Sequence, residues 1–281
     1  MITKSLERIL AEAVAIEDEA AKEAGALGFM TRAMVQATMP HRDPKVNEFR
    51  RRNGNYTLTM LAPSEIGLPY GVIPRLLLAW ISTETVRTQE RTLVLGDNLS
   101  GFMRQLDLVP TGGRWGTITR LRGQMQRLFS CMVTCSYDSG NRFALKNVNI
   151  ASEVNLWWEP KAPDQVGLWE STLKLSEEFY REVIDYPIPV DMRALKALKK
   201  SPLALDVYIW LTYRMSYLKD ATVIPWPLLM AQFGADYGRE RAFKEAFIEA
   251  LRKVLTIYSD AKVEPTPQGL QLKPSRPHIA R

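Results

Sequence analysis

Apolar residues recur at helical spacing between positions 118 and 129, which predicts an amphipathic α-helix over this stretch. The apolar stripe consists of Ile118, Leu121, Met125, Leu128 and Phe129. At 3.6 residues per turn, the opposite face carries Thr119, Arg120, Gly123 and Arg127. No acidic residue occurs from position 111 to position 134. We therefore expect one side of this helix to pack on the protein and the other side to present positive charge.

The glycine at position 123 lies in the middle of the charged face. A glycine inside a helix costs about 1 kcal/mol in helix propensity relative to alanine. Close approach of a phosphate backbone to the helix surface would be one benefit of the missing side chain. An ordinary amphipathic surface helix is the alternative interpretation, and the absence of acidic residues favours contact with nucleic acid.

The elements around this helix are predicted in a specific order. A buried helix over 73–88 has a proline in its first turn, a short strand follows at 92–95, and Asp97 or Asn98 can cap a short helix. Two strands, at 132–137 and 142–150, come after the basic helix and are joined by a hairpin turn at 138–141. This order is that of a helix-turn-helix with a β-hairpin wing, which puts its last helix in the DNA major groove.

The same order is predicted a second time. Ser201 and Pro202 begin an apolar helix over 203–218, followed by a strand at 222–224, a short helix at 227–233 and a long helix over 239–255. The wing strands of this second unit are expected at 257–258 and 270–272. Residues 38–55 have the composition of a loop, which includes a basic cluster at 50–52.

The predicted fold class is therefore α+β, with two tandem winged-helix domains, each a helix-turn-helix plus a β-hairpin wing. The first domain, with its connecting segment, is placed at 31–188 and the second at 189–281. An amino-terminal helical arm over 1–30 precedes them. The sequence does not decide whether this arm packs on its own chain or on a partner. Trp157, Trp158 and Trp169 are expected in the core or between domains.

The outward face of the second long helix carries charges of both signs. Arginine can pair with guanine edges and glutamate can accept from cytosine N4. Pairing within the helix, such as Glu249 with Lys253 four positions on, is the alternative. The residues predicted to contact DNA in the two units are Arg114, Thr119, Arg120, Gly123, Gln124, Arg127, Arg142, Arg239, Arg241, Lys244, Glu245, Arg252 and Lys253.

The charge balance fits a partner that is a polyanion. The 281 residues carry a net charge of +6. Residues 1–28 contain three basic and six acidic side chains, so the remainder carries +9. No apolar run approaches the ~18–20 residues that span a bilayer. Charged residues interrupt the amino terminus, so we expect no signal peptide, no membrane partner and a cytoplasmic protein associated with nucleoid or plasmid.

Residues that could form a catalytic or metal site are scarce. The only cysteines are Cys131 and Cys135, expected as buried thiols too far apart along a strand for a disulfide, and the only histidines are His41 and His278. This set offers no zinc site. A nicking enzyme would need a histidine pair beside a tyrosine, and no G-x-x-x-x-G-K-[ST] phosphate loop is present. We therefore expect no catalytic residue, no cofactor, no metal and no enzymatic activity.

Several segments resemble the plasmid-encoded RepA family of replication initiators, and together they span about residues 38–273. The longest are varied in residue type, which makes a chance match improbable. The segments are RRNGNY at 51–56, GLPYGVIPRLLLAW at 67–80, PTGGRWG at 110–116, SPLALDVYIWLTYR at 201–214, QFG at 232–234 and FKEAF at 243–247.

This resemblance implies a protein that binds repeated double-stranded DNA sites at a plasmid origin and helps to open the duplex. It also implies recruitment of the host initiator DnaA and the replicative helicase, repression of its own promoter, and a homodimer in equilibrium with a monomer. A transcriptional regulator without a replication role would use the same two helices and is the alternative. An RNA-binding protein fits less well, because the narrow major groove of A-form RNA does not admit a helix.

Overall fold

The computed structural model describes residues 4–32, 35, 38–167, 170–234 and 237–279 as a mixed α/β fold with several small sheets. The amino-terminal arm forms α1 (Lys4–Asp18) and is followed by β1 (Leu27–Thr31). Trp169 lies outside the described residues. No helix in the described ranges is long and apolar enough to cross a bilayer.

The first half of the chain contains the basic helix and its predicted neighbours. Its further elements are β2 (Glu48–Asn53), β3 (Tyr56–Leu61), α2 (Val72–Thr88), β4 (Thr92–Val94), α3 (Leu99–Gln105), α4 (Thr117–Ser130), β5 (Met132–Asp138), β6 (Phe143–Asn147), β7 (Ala151–Asn155) and β8 (Thr172–Leu175).

The second half repeats the order of helix, strand, short helix, long helix and hairpin. Its elements are α5 (Glu177–Asp185), β9 (Pro187–Asp191), α6 (Met192–Leu198), α7 (Pro202–Met215), β10 (Thr222–Pro225), α8 (Trp226–Phe233), α9 (Glu240–Ile257), β11 (Val263–Pro265) and β12 (Gly269–Leu272).

Local chemistry explains several of these boundaries. The Asn98 side chain accepts a hydrogen bond from the Gly101 N–H at the start of α3, and Ser201 accepts from the Ala204 N–H at the start of α7. Gly54 turns β2 into β3 with a φ of 59°. Helices α2 and α7 are apolar around most of their circumference and are buried along nearly their whole length, so they form the centre of the molecule.

The two halves pair their strands differently, although their element order is the same. In the second half the hairpin β11–β12 pairs with β10, in the sheet order β10-β12-β11. In the first half β4 pairs with β8, which also pairs with β7, while the hairpin β5–β6 pairs through β5 with β3, in the order β2-β3-β5-β6. The first hairpin therefore belongs to a sheet whose other two strands, β2 and β3, come before α2 in the chain.

Three expectations for individual segments were wrong. Residues 48–53 form strand β2 rather than part of a loop, because they pair in register with β3. Residue 257 ends α9, and the strand expected there lies further on at β11. Trp157 is 55% exposed and is not a core residue, whereas Trp158 is half-buried with its ring 5.1 Å from that of Phe102.

The two cysteines are free and buried, as expected for thiols of the core. Cys135 lies in β5, but Cys131 is the C-cap residue directly after α4 rather than a strand residue. Burial raises the pKa of the Cys131 thiol to about 12 and that of Cys135 to about 11. Both thiols are therefore protonated at neutral pH and poor nucleophiles.

The amino-terminal arm packs on the second half of its own chain. Ile9 and Ala13 are buried, and α1 contacts α6 and α9. Arg8 donates to the carbonyl oxygens of residues 196 and 197, and Arg193 donates in the opposite direction to those of residues 15 and 19. The structure thus decides a question that the sequence left open.

A buried ion pair joins α2 in the first half to α7 in the second. Arg75 Nε and Nη2 donate to the two carboxylate oxygens of Asp206, each at 2.7 Å. The other three N–H groups of the guanidinium donate to the carbonyl oxygens of Met39, Pro40 and Gly71. All five donors of the arginine therefore have acceptors, which is the condition under which a buried pair is tolerated.

The Asp206 carboxylate also has a hydrogen-bond partner in a third segment of the chain. His41 Nε2 lies 2.8 Å from Asp206 Oδ2. Burial alone would raise the pKa of Asp206, but the Arg75 charge and the hydrogen bonds from His41 and Arg75 hold it below its ordinary value of 3.8. The stability that this group contributes is therefore complete above pH 3.8 and is lost as the pH falls through the lower pKa of the folded state.

The first prediction concerns this pair. Replacement of Arg75 by methionine leaves a buried carboxylate without its main partner, and we expect the free energy of unfolding in urea to fall by about 3–5 kcal/mol. The control is Arg87→Met, which removes an exposed pair with Glu84 and should cost less than about 1 kcal/mol. Equal losses in the two variants would contradict the role assigned to the pair.

The second prediction tests the core of the second half. Phe247 in α9 is fully buried against the rings of Trp226, Phe233 and Phe243. Phe247→Ala should lower the free energy of unfolding by about 3–5 kcal/mol. Leu228→Ala, at a position that is 53% exposed, should change it by less than about 0.5 kcal/mol. An unchanged melting temperature for the Phe247 variant would show that α9 packs in another orientation.

Candidate nucleic-acid interface

Helix α4 has the predicted division between an apolar and a basic face. The stripe residues Ile118, Leu121, Met125 and Leu128 are buried, and Phe129 is half-buried against the core. On the opposite side Arg120 is exposed, and Arg122, at the edge of the apolar stripe, is exposed too. Neither guanidinium pairs with a carboxylate within the described ranges. The middle of α4 thus presents positive charge that the protein itself does not neutralise.

Gly123 lies on this basic face, and a Cβ atom built on it meets nothing within 4 Å. Packing inside the protein therefore gives no reason for a glycine at this position. An alanine would fit and would favour the helix. The open space above Gly123 is compatible with the close approach of a phosphate backbone that the sequence suggested.

The loop that leads into α4 is braced by hydrogen bonds between its two ends. The backbone N–H groups of Thr111 and Thr117 each donate to the hydroxyl of the other residue, both at 2.9 Å. A Cβ on Gly116 would lie 2.2 Å from the Thr111 carbonyl oxygen, so only glycine fits there. Thr119 closes the loop from the helix side by donating to the Gly113 carbonyl oxygen.

Two side chains project from this braced loop into solvent. Arg114 is exposed, and its guanidinium lies 5.1 Å from the ring centroid of Trp115. Trp115 is 80% exposed. The sequence predicted Arg114 as a contact residue but not Trp115, since nothing in the pattern distinguishes an exposed tryptophan from a buried one.

The residues of the carboxyl-terminal part of the same face make contacts within the protein. Gln124 is buried, and its Oε1 accepts from the Tyr70 N–H at 3.0 Å. Arg127 is half-buried, donates to the Leu68 carbonyl oxygen at 2.9 Å and lies 3.7 Å from an Asp43 carboxylate oxygen. The expectation that Arg127 faces solvent was wrong, because the segment before α2 covers this end of α4. Helical periodicity carries no information on such a tertiary contact.

On the corresponding face of α9, two of the five predicted cations pair with glutamates. Arg241 is almost fully exposed and lies 3.1 Å from Glu245, and Lys253 lies 2.7 Å from Glu249. Lys244 is half-buried, with its ammonium group 4.8 Å from the Trp226 ring centroid. Exposed pairs of this kind are worth at most about 1 kcal/mol, so a phosphate can displace them at little cost. The two remaining predicted residues, Arg239 and Arg252, are exposed.

Further cations lie at one end of the sheet that contains the first hairpin. Arg142 is exposed in the turn between β5 and β6. The turn between β2 and β3 lies at the same end, since the Asp138 N–H donates to the Asn55 carbonyl oxygen. Arg50 and Arg52 alternate with buried residues along β2 and are exposed on its outer side. These two arginines were not among the predicted contact residues, because their segment has the composition of a loop.

The described residues show no arrangement suited to metal chemistry. They contain no group of three or more His, Cys, Asp or Glu side chains that could hold a metal ion.

A cavity of about 530 Å³ lies behind α4 and is lined mainly by apolar side chains, including Leu121, Met125 and Trp158, with Arg122 as its charged residue. The exposed arginines of α4 give this surface the chemistry to bind an anion.

The third prediction concerns the effect of Gly123 on two properties, the stability of the protein and its binding to DNA. Gly123→Ala should raise the free energy of unfolding by about 0.5–1 kcal/mol, since alanine is the better helix former and nothing blocks its methyl group. If a DNA backbone approaches this position closely, the same variant should bind duplex DNA more weakly, as measured by fluorescence anisotropy. Arg120→Ala is the matched variant, expected to weaken binding with unchanged stability. A Gly123→Ala protein with both properties unchanged would contradict this interpretation of the face.

Comparison with known protein families identifies the family that this sequence matches. The sequence matches the family model described as plasmid encoded RepA protein over residues 68–227. No curated protein sequence matches the chain. The family match covers the segment from the loop that holds Arg127, through the whole of α4, to the start of α8.

Two solved structures are similar to this chain. A crystal structure of selenomethionine derivatives of domain 2 and domain 3 of RctB aligns with a TM-score of 0.56 at 12% identity, covering 88% of this chain and 99% of that one. A second structure of RctB domains 2–3 aligns with a TM-score of 0.49 at 14% identity, covering 86% and 96%. The first likeness concerns the fold alone. The family match extends over more than half of the chain, and the protein therefore belongs to the family of plasmid-encoded RepA proteins.

Proposed function

We propose that this protein is a plasmid replication initiator that binds repeated sites at an origin through α4 and α9. The observation that carries the proposal is the basic surface of α4, where Arg120 and Arg122 are exposed near the open Gly123 position, in a chain of the RepA family. Phosphate contacts would fix the register of the protein on DNA, and contacts to base edges would select the sequence.

We also propose that the two repeated units are winged-helix domains, at 31–188 and 189–281 as the sequence predicted. The order of α2, β4, α3, α4 and the β5–β6 hairpin supports the first unit, and the order of α7, β10, α8, α9 and the β11–β12 hairpin supports the second. In such units the last helix enters the major groove. Two units in one chain raise the overall affinity, because binding of the second becomes an intramolecular step.

The free energy for opening the duplex would come from binding. Specific protein–DNA complexes have typical dissociation constants of about 10⁻⁸ to 10⁻¹¹ M. Bending a site of 20–30 base pairs costs about 1–6 kcal/mol, which the contacts of two helices can offset. On this proposal the chain has no catalytic residue, cofactor or metal of its own. Duplex opening is then completed with the host initiator DnaA and the replicative helicase.

Repression of its own promoter and an exchange between dimer and monomer complete the proposal. Both are supported by the family assignment, since a protein that binds origin repeats can bind a similar site at its promoter. A DNA-binding transcriptional regulator would use the same surface, and the position of the bound site distinguishes the two functions. Metal-dependent nicking of a supercoiled origin plasmid by the purified protein would contradict the proposal that it is not an enzyme.

The fourth prediction tests this function directly. Tiled duplexes from the DNA that flanks the coding region should contain a repeated segment that binds tightly at two salt concentrations, whereas scrambled duplexes should lose binding steeply as salt rises. The Arg120→Ala, Arg122→Ala double variant should bind all duplexes more weakly. Removal of one phosphate contact should reduce the steepness of log K against log salt by about 0.9.

Arg181→Ala is the control for the double variant. It removes an exposed arginine on α5, which lies outside the long helices of both predicted units, and should leave the slope of log K against log salt unchanged. A single bound segment at a promoter would favour the regulator. Equal, salt-sensitive binding to every duplex would contradict specific origin recognition.

A further inference from the structure

We propose that Trp115, together with Arg114, reads a thymine beside a guanine in the major groove, with the indole against the thymine methyl group. This inference rests on the proposed DNA-binding function and names a residue that determines its sequence preference. The juxtaposition that supports it is an exposed indole on a hydrogen-bonded loop, with the Arg114 guanidinium 5.1 Å from its ring centroid, at the amino-terminal end of the basic helix α4.

Trp115 leaves nearly all of its indole in contact with water. At 80% it is the most exposed large hydrophobic residue in the described part of the chain. A tryptophan side chain buries about 150–250 Å² when it packs, so an indole left in water forgoes a large favourable contribution. A second molecule that covers the ring would recover it.

The backbone of the loop that carries Trp115 is held by hydrogen bonds. Residues on either side of it are tied down by the paired Thr111 and Thr117 hydrogen bonds and by the Gly116 N–H, which donates to the Gly113 carbonyl oxygen. The Thr117 hydroxyl also donates to the carbonyl oxygen of residue 109. A preorganised loop loses little backbone conformational freedom on binding, which favours affinity.

The charge around the indole selects the class of partner. Arg114 stacks on the ring, Arg120 and Arg122 follow on the next turns of α4, and no acidic residue occurs from 111 to 134. A partner that covers Trp115 therefore meets only positive charge from this stretch, which favours an anionic partner. Trp115 comes directly before Gly116, the N-cap of α4, and residues at this end of a recognition helix reach the base edges.

The chemistry of Arg114 and Trp115 fits one kind of base step. An arginine donates two hydrogen bonds to the O6 and N7 atoms of guanine, and thymine is the base that offers a methyl group in the major groove. With the guanidinium and the ring stacked, the two groups occupy neighbouring base pairs. A phosphate contact alone would use Arg114 and leave the indole in water, so it does not account for Trp115.

The test replaces thymine by uracil one position at a time in the bound duplex, which removes the methyl group and keeps base pairing. Wild-type protein should lose about four-fold in affinity at one position beside a guanine, the effect of one buried methyl group. Trp115→Ala should bind the thymine duplex more weakly and should show no loss with uracil at that position. Trp115→Phe should keep part of the sensitivity, because an apolar ring still covers the methyl group.

The control is Trp157→Ala, which removes another exposed indole outside the loop and α4, and it should retain the wild-type response to uracil. Circular dichroism establishes that each variant is folded. The inference is overturned if wild type and Trp115→Ala respond equally to uracil at every position, or if Trp115→Ala binds DNA as wild type does, as it would were the indole a contact for another protein. Failure of the wild-type protein to bind any duplex specifically would instead overturn the proposed function.

Discussion

The arrangement of the two halves depends on one buried ion pair, between Arg75 of α2 and Asp206 of α7. Charges are costly to bury, and this pair is tolerated because all five guanidinium donors and both carboxylate oxygens have partners at hydrogen-bond distance. Its geometry is bidentate, so it fixes direction as well as distance between the two central helices. The segment at 39–41 contributes to the same cluster, which links the chain before α2 to the second half.

The structure holds both ends of α4 and leaves the basic middle of this helix exposed. Gln124 and Arg127 fasten its carboxyl-terminal end to the segment before α2, and the Thr111–Thr117 loop braces its amino-terminal end. Between them lie Arg120, Arg122 and the open position at Gly123. Helix α9 differs, since two of its cations, Arg241 and Lys253, form exposed pairs with glutamates. On the proposed function, α4 would make the stronger electrostatic contact with DNA. The contact of α9 with DNA would be the more easily adjusted of the two, because its exposed ion pairs can rearrange.

Much of the element order could be predicted from the sequence, because it depends on local signals. Apolar periodicity places α2, α4, α7 and α9, and capping residues such as Asn98 and Ser201 place helix starts. What could not be predicted depends on tertiary contacts. The pairing of β5 with β3, the burial of Gln124 and the contact of Arg127 with Leu68 all involve residues more than fifty positions apart. The exposure of Trp115 and Trp157 is equally a property of the folded chain, since composition favours burial of both.

The central claim is that α4 and α9 occupy the DNA of one site together. Chemical footprinting of a bound repeat, with single variants in each helix, tests it most directly. We expect two protected major-groove segments, with Arg120→Ala removing protection from one and Arg252→Ala from the other. One protected segment, or loss of both segments in either single variant, would contradict the claim that the two helices read separate parts of the site.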